Sequence, residues 1–333
     1  MGQIADRRTK TAERIRLLAD DLEKASELLK DKACVYAIGS FGRLDASSHS
    51  DLDAFIVAKV KTESSRETPP KSELSSLDEI LVKAELIHAT KSHGIPPFDG
   101  DGRYLRQYTI ADFIGTLGTP DDDATNTFTA RLLMLLEGRC IVGRAAYDTA
   151  REEVITSYWR DYEKHKGEFV PAFFANDIIR LWRTFCVNYE ARTTNQPERQ
   201  NAKRKLKNYK LRHSRLLTCY STLLMLLDKF QRQGSISPTE ALDLTRLTPT
   251  ERLETLQGHY GTSSTGAVLG SILAAYDRFL EETNFSEDDM IDLFLDAKKA
   301  SKFASTSGEL GDLFFKAIAA IGNNSALHRV LVV

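Results

Sequence analysis

Two short apolar segments, one on either side of a polar turn, constrain the fold of this chain more than any other part of its sequence. The first, Ala33–Ile38, runs directly into Gly39-Ser40, and the second, Leu52–Val60, is opened by Asp51. Short apolar runs bounded by turn residues are typical of buried strands. The sequence therefore predicts two strands that are connected through a glycine turn and a short helix.

The second predicted strand carries two acidic residues at its start. Asp51 and Asp53 are two positions apart, so on a strand their carboxylates share one face. Leu52, Ala54 and Ile56 then point to the other face. Two neighbouring carboxylates repel each other as anions, and a bound divalent cation removes that repulsion. The pair is a candidate metal site.

The end of the first predicted strand is a candidate phosphate site. Gly39-Ser40 places bare backbone N–H groups and a hydroxyl where a helix begins, and phosphate oxygens bind to such groups. A phosphate-binding turn followed by paired carboxylates favours magnesium-dependent phosphoryl or nucleotidyl transfer. The alternative is a surface Asp-Leu-Asp segment beside an unrelated Gly-Ser turn.

These residues resemble the signature of the polymerase-β-type nucleotidyltransferase superfamily. Its pattern is a hydrophobic residue with Gly-Ser, a spacer, and two acidic residues that alternate with hydrophobic ones. Here Ile38-Gly39-Ser40 is followed, after ten residues, by Asp51-Leu52-Asp53-Ala54. The longer run Gly39-Ser40-Phe41-Gly42-Arg43 is similar to the branch that contains the uridylyltransferase of a nitrogen-regulatory signalling protein. The stretch 129–143 is similar to the helix that closes the catalytic domain of that branch, so the resemblance covers about residues 33–143.

The resemblance implies roles for the residues that match the signature. Asp51 and Asp53 would hold Mg²⁺ and act in catalysis. Gly39 and Ser40 would bind the β- and γ-phosphates of an NTP substrate. The acceptor that receives the nucleotidyl group is not carried over with the resemblance.

The resemblance also implies a third carboxylate, on a later strand, that completes the metal site. Asp99 and Asp101, just before a strand predicted at Tyr104–Tyr108, are the candidates for the further metal ligand and for the catalytic group that activates the acceptor hydroxyl. An Asp-Gly-Asp segment is also a common turn. Arg43, just beyond the phosphate turn, is a candidate to neutralise triphosphate charge. Its alternative is a solvated arginine on a helix surface.

Helical patterns dominate the rest of the chain. One is predicted at 4–30, and another follows with Leu77, Ile80, Leu81, Ala84, Ile87 and His88 on one face. Beyond Thr109, helices are predicted at 128–137, 146–162, 171–189, 203–230 and 266–282, with further starts at Ser237, Ser286 and Leu310. We therefore expect an α+β fold, with a small mixed-sheet nucleotidyltransferase-like domain over 1–145 and an all-helical domain over 146–333.

Two polar surfaces of the helical part are candidate ligand contacts. One helix carries a polar stripe that would face either a cleft or a network of salt bridges, formed by Asn176, Arg180, Arg183 and Thr184. Basic residues from Arg199 to Arg215, Lys207 among them, surround another helix. In related two-domain transferases a lysine or arginine from the helical domain closes over the triphosphate. Arg183 and Lys207 are the candidates for that contact here. Contact with an RNA backbone and a merely solvated basic face are the alternatives for the second surface.

Composition limits the classes of partner. Lys plus Arg is 45 and Asp plus Glu is 47, so the formal net charge is −2, and nucleic-acid contact would need a local patch. The chain has no apolar run of membrane-spanning length, and its four separated cysteines are typical of buried thiols in a reducing cytoplasm.

We therefore expect a cytoplasmic nucleotidyltransferase without membrane contact. Its acceptor is a protein, an RNA, a nucleotide or a small molecule, and the sequence identifies neither that acceptor nor an oligomeric state. The alternative is a non-catalytic nucleotide-sensing or partner-binding module of the same fold.

Overall fold

A computed structural model describes residues 2–61, 71–98, 102, 105–190 and 197–332 of the chain. The chain divides into two compact units. One is Ala5–Arg160, the sheet unit, and the other is Asp161–Val333 together with the first four residues, the helical unit. All four strands lie in the sheet unit, and the described residues of the other unit are mostly helical. The predicted α+β class is confirmed.

The sheet unit contains eight helices and four strands among its described residues. In chain order they are α1 (Gln3–Asp21), α2 (Glu23–Leu29), β1 (Ala33–Ile38), α3 (Gly39–Gly42), β2 (Asp53–Ala58), α4 (Ser76–Ser92), β3 (Gln107–Thr109), α5 (Ile110–Gly115), α6 (Asp121–Ala124), α7 (Thr127–Glu137), β4 (Arg139–Val142) and α8 (Arg144–Tyr158). The helix predicted at 4–30 is thus divided in two at Leu22. The helix predicted at 128–137 is confirmed as α7, and the stretch 129–143, which is similar to the closing helix of the resembled branch, continues from α7 into β4.

The sheet is mixed, as predicted, with the strand order β3-β2-β1-β4. Strand β1 is antiparallel to both β2 and β4, whereas β2 and β3 are parallel. Ile38, the last residue of β1, pairs with Asp53, the first residue of β2. This register brings the turn after β1 to the start of β2, and it places the two predicted halves of the site side by side.

Both faces of the sheet are covered. On one face Val35, Ala37 and Ile56 join a hydrophobic cluster with residues of α1, α2 and α4. On the other face the rings of Tyr36 and Phe55 lie 5.8 Å apart, and further aromatic side chains extend this layer. Strands buried on two faces need no polar alternation, which explains why β1 and β2 are continuous apolar runs.

Helix α4 presents its predicted apolar face to solvent. Leu77 is 73% exposed, and Ile80, Leu81 and Ile87 are also exposed. The residues that α4 buries lie on its opposite side and are Val82, Leu86, Ala89 and Thr90. The hydrophobic spacing correctly grouped the residues of one face, but the core lies on the other side of the helix.

Among its described residues the helical unit contains one short 3₁₀ helix, Tyr162–Lys164, and eight α-helices. The α-helices are α9 (Ala172–Glu190), α10 (Glu198–Gln233), α11 (Pro238–Arg246), α12 (Pro249–Tyr260), α13 (Ser264–Glu282), α14 (Glu287–Leu295), α15 (Ala297–Gly322) and α16 (Ala326–Val330). The predicted starts at Ser237 and Ser286 are confirmed, because each side chain caps its helix. The predicted start at Leu310 is wrong, since α15 begins at Ala297.

The division between the units falls one helix later than the predicted boundary at 145. Helix α8 packs on β1, β2 and α5, so it belongs to the sheet unit. The four cysteines are free, with Cys34 and Cys219 buried and Cys140 and Cys186 half-buried. Within the part of the chain that the structure describes, no helix has both the length and the apolarity to cross a membrane.

Candidate functional site

The turn after β1 is built around a glycine with an unusual backbone. Gly39 has a φ of +64°, in the left-handed region that glycine adopts without steric cost. A Cβ at this position would lie 2.9 Å from Oδ2 of Asp53. The missing side chain therefore allows the Asp53 carboxylate to lie directly against the Gly-Ser turn.

The predicted acidic pair lies at the start of β2, although only one member is in the strand. Asp53 is its first residue, and Asp51 lies two residues before it. Both are half-buried. Leu52, Ala54 and Ile56 belong to the hydrophobic cluster on the opposite face, as the alternation predicted. The pleat thus directs Asp53 away from that cluster and towards the turn.

A third carboxylate reaches the turn from α7. The backbone N–H of Gly39 donates to Oε1 of Glu137 at 2.8 Å. Glu137 is the last residue of α7, and its side chain is fully buried. The prediction that Gly39 offers a bare amide to a phosphate is therefore wrong, because Glu137 already accepts from that amide. The predicted approach of a phosphate to the glycine itself stays a prediction.

Arg43 has protein carboxylates as partners. Its Nη1 donates to Oε2 of Glu137 at 3.2 Å, and its Nε donates to Oδ2 of Asp45 at 2.9 Å. The side chain is only 8% exposed, so the alternative of a solvated surface arginine is wrong. Contact between Arg43 and a triphosphate stays a prediction, and the observed contacts give the guanidinium a positioning role between Glu137 and Asp45.

Helix α1 holds the loop that connects the turn to the acidic pair. Arg7 donates to the carbonyl of Asp45 at 3.1 Å, and Arg14 donates to the carbonyl of Ser47 at 2.7 Å. The Arg14 guanidinium also lies 4.5 Å from the centroid of the Phe41 ring, and burial lowers its pKa from the ordinary arginine value. These contacts fix residues 45–47 from one helix face, because positions 7 and 14 lie two turns apart.

Gly42 fits where no side chain could. A Cβ there would collide with the backbone oxygens of Glu137 and Ala37. The second glycine of the Gly-Ser-Phe-Gly segment therefore lets α3 pack on the ends of β1 and α7. Ser40 lies between the two glycines and is half-buried, and no described residue hydrogen-bonds to its hydroxyl. This hydroxyl is a donor available to a ligand at the turn.

The predicted third ligand of the metal cannot be placed. Asp99 and Asp101 lie outside the described residues. Strand β3, the predicted strand near Tyr104–Tyr108, is observed at Gln107–Thr109 and carries no carboxylate there. Within the described ranges, no group of three His, Cys, Asp or Glu side chains is arranged to hold a metal ion.

Asp51 and Asp53 nevertheless have the donor chemistry that magnesium requires. Mg²⁺ prefers hard oxygen ligands and is usually held by one or two carboxylates together with the phosphates of the substrate. Asp53 lies beside the turn at which those phosphates are predicted, and Asp51 is close to it along the chain. The residues fit a magnesium ion that is bound together with a nucleotide.

The other predicted contacts lie in the helical unit. Arg183 on α9 is exposed and lines a cavity of about 350 Å³ together with Asn176, Arg180 and Thr184, so the predicted polar stripe is confirmed. Lys207 on α10 is exposed. Contact of Arg183 or Lys207 with a triphosphate stays a prediction.

Part of the basic run on α10 is paired with acidic residues. Arg199 donates to Asp288 and Asp292 of α14 at 2.8 and 2.6 Å, and Lys203 lies 2.9 Å from Glu287. These pairs reduce the positive charge at the start of the helix. On the side of α10 that packs inward, Leu206, Tyr209, His213 and Leu216 are buried and Tyr220 is half-buried.

Glu137 is the site residue that the sequence analysis did not identify. It follows nine largely apolar positions of α7 and immediately precedes Gly138. A carboxylate at the C-terminus of a helix is disfavoured by the helix dipole. Such a residue on an apolar helix therefore needs a cation or an N–H donor nearby. An acidic residue at the end of an apolar helix is the sequence signal that points to Glu137.

The chain matches no protein-family model, no curated protein and no solved structure. The resemblance to the nucleotidyltransferase superfamily therefore rests on the residues of the turn and of the acidic pair alone, and membership of that superfamily stays a prediction.

Proposed function

We propose that this chain is a magnesium-dependent nucleotidyltransferase. In the proposed reaction an acceptor hydroxyl attacks the α-phosphorus of an NTP, a new phosphoester forms, and pyrophosphate leaves. The main support is the contact between the Asp53 carboxylate and the left-handed Gly39 turn. This contact puts a candidate metal ligand beside a candidate phosphate turn, as the reaction requires.

The residues at the turn have separate tasks in this proposal. The β- and γ-phosphates lie in the space left by the missing side chain of Gly39, where the Ser40 hydroxyl donates a hydrogen bond to them. Asp51 and Asp53 provide anionic oxygens for Mg²⁺, which would neutralise charge on the phosphates when bound. Glu137 and Arg43 hold the turn in place through the Gly39 amide and Asp45.

Separate measurements of binding and turnover test this proposal. Each α-³²P-labelled NTP is incubated with the protein, Mg²⁺, and either protein, RNA or small-molecule fractions of a cell extract. We expect label transfer and pyrophosphate release with at least one fraction. Asp51→Asn and Asp53→Asn should each reduce transfer by more than the roughly 10- to 100-fold that follows loss of an outer-shell metal contact.

Asp31→Asn is the matched control, because this carboxylate is exposed and lies in the same unit. Transfer that is equally lost in Asp31→Asn, or retained in Asp53→Asn, would contradict the assignment. Equilibrium dialysis with each NTP measures binding independently of any acceptor.

A non-catalytic nucleotide-binding module is the second candidate function. It is favoured by the absence of a carboxylate from β3 and of a three-ligand metal group within the described ranges. NTP binding that depends on Ser40 and Asp53, without transfer in any fraction, would support this candidate over the enzyme. Absence of both binding and transfer would exclude both.

A further inference from the structure

The helical unit contains a cavity of about 770 Å³ that is lined by α9, α10, α15 and α16 and by the two residues after α16, Leu331 and Val332. Small-molecule sites in proteins usually measure about 300 to 1,000 Å³. All the described residues that line this cavity belong to the helical unit, and none of them is a residue of the Gly39 turn. Neither the acidic pair nor its proposed chemistry uses it.

The walls of the cavity are largely apolar and aromatic. Trp182 and Tyr220 meet edge to face with their ring centroids 6.2 Å apart, and Leu216 and Phe314 extend the surface. Gly311 of α15 faces open space, with no atom within 4 Å of the position of a Cβ. Glycine weakens a helix relative to alanine, and here it keeps volume open beside the aromatic wall.

The charges that line the cavity have one sign. Arg183 of α9 and Arg212 of α10 contribute guanidinium groups, and no Asp or Glu is among the described lining residues. Neither arginine makes an ion pair or a hydrogen bond with a described residue. This contrasts with Arg199 and Lys203, earlier on α10, which pair with carboxylates of α14.

Each of the two arginines also lines a second, smaller cavity. Arg183 lines the cavity of about 350 Å³, and Arg212 lines one of about 320 Å³. No carboxylate lines either of these among the described residues. An anionic group beside these arginines would therefore meet positive charge, and no described residue that lines the three cavities offers a competing carboxylate.

We propose that this cavity binds a small organic anion whose apolar part is larger than its charged head. The head, a carboxylate or a phosphate, binds between Arg183 and Arg212. The apolar body packs against Trp182, Leu216 and Phe314. The proposal does not depend on nucleotidyl transfer, and it gives Arg183 a ligand other than the triphosphate that the sequence predicts for this residue.

The chain contains two tryptophans, and only one of them lines the cavity. Trp159 is buried in the sheet unit, so Trp159→Phe leaves Trp182 as the sole indole. The anionic dye 8-anilinonaphthalene-1-sulfonate is titrated into this variant, and energy transfer from Trp182 reports its binding. Decanoate and decan-1-ol, which share an apolar chain, then compete with the dye. The same competition is followed by dye fluorescence in the unmodified protein, which compares decanoate with decan-1-ol without the tryptophan substitution.

We expect decanoate to displace the dye at a concentration at least about tenfold lower than decan-1-ol does. Arg183→Ala and Arg212→Ala should each weaken decanoate binding roughly tenfold, and the double variant roughly hundredfold, as expected for one charged hydrogen bond each. Arg204→Ala, on α10 but outside the lining, is the matched control and should bind decanoate normally.

Filling the cavity separates binding inside it from binding to surface charge. Gly311→Leu, which retains both arginines, should abolish displacement of the dye by decanoate, whereas Gly311→Ala should retain it. Equal competition by decanoate and decan-1-ol, normal binding in the double arginine variant, or normal binding in Gly311→Leu would overturn the proposal. Displacement by AMP but not by decanoate would overturn it in favour of a nucleotide site.

Discussion

Gly39 meets two requirements at once, a left-handed backbone and close contact with a carboxylate. Gly39→Ala should lower the free energy of unfolding by at least the ~1–2 kcal/mol that a left-handed conformation costs an L-residue. The added methyl group should also displace Asp53, so NTP binding should fall further than the loss of folded protein explains. Chemical denaturation and equilibrium dialysis measure the two effects.

Gly94 provides a matched control for this substitution. Its φ is +63°, but no atom lies within 4 Å of the position of a Cβ. Gly94→Ala therefore introduces the same backbone strain without a collision. If the two variants bound NTP equally well, contact between the turn and Asp53 would not matter for the site.

Arg131 and Asp122 form an ion pair with no solvent exposure on either side chain. Their atoms Nη2 and Oδ2 lie 2.7 Å apart. Asp122→Asn leaves the buried guanidinium without its counter-charge and should cost about 3–5 kcal/mol of the free energy of unfolding. Urea denaturation checks this value. Asp121→Asn, one residue earlier and exposed, should stay within about 0.5 kcal/mol of the unmodified protein, and equal losses would contradict the stated cause.

The residues of the turn could be predicted because their types and spacing lie within one short segment. Gly39, Ser40 and Asp53 are only 14 residues apart at most, and the antiparallel register of β1 and β2 brings them together. Glu137 could not be placed in this way. It reaches Gly39 across 98 positions, and no local pattern encodes which turn the end of α7 meets.

At the scale of elements, the sequence predicts whether a segment is a helix or a strand, and which residues share a face, better than it predicts which face is buried. The spacing of apolar residues on α4 identified one face, but burial depends on which neighbours cover the helix. Leu77 is exposed and Val82 is buried, although both are apolar. The early part of α15 was missed for a different reason. Its serines, its threonine and Gly308 have low helix propensity, and the helix is stabilised by packing against α10 and α13.

Gly311 weakens α15, and no neighbouring atom requires a glycine there, since nothing lies within 4 Å of the position of a Cβ. Gly311→Ala should raise the free energy of unfolding of the helical unit by about 0.5–1 kcal/mol, since alanine loses less entropy in a helix. Thermal denaturation measures the change. Gly322→Ala on the same helix should destabilise instead, because its Cβ would lie 2.6 Å from the His328 ring. A gain in stability from both changes would show that the ring moves freely.

At the scale of the whole molecule, the sequence predicted two units but placed their boundary one helix early. The helical spacing of α8 resembles that of the helices after it, and spacing does not say on which core a helix packs. Ala146, Tyr147 and Ala150 are buried, and the rings of Tyr147 and of Tyr36 in β1 lie 5.7 Å apart. Membership of a unit is thus decided by long-range contacts, which are not written in the local sequence.

The helical unit contains a buried histidine. His213 of α10 is buried in the helical unit, where its ring stacks on Phe279 with centroids 4.5 Å apart and its Nδ1 donates to the carbonyl of Tyr209. Burial lowers the pKa of His213 from 6.5 to about 4, even though the carbonyl contact opposes this shift. Glu282 is nearby and binds the Tyr209 hydroxyl at 2.8 Å.

Acidification should therefore destabilise the helical unit through His213. Between pH 6.5 and about 4 the unfolded chain binds a proton that the folded chain does not, so stability present at pH 7 is lost as the pH falls, by about 3 kcal/mol in total. In the Trp159→Phe protein the fluorescence of Trp182 reports unfolding of the helical unit. In the Trp182→Phe protein the fluorescence of Trp159 reports unfolding of the sheet unit. His213→Phe should remove this part of the pH dependence from the Trp182 signal and leave the Trp159 signal unchanged. His165→Gln, an exposed histidine in the same unit, should change neither, and a pH dependence that survives in His213→Phe would assign the effect to another group.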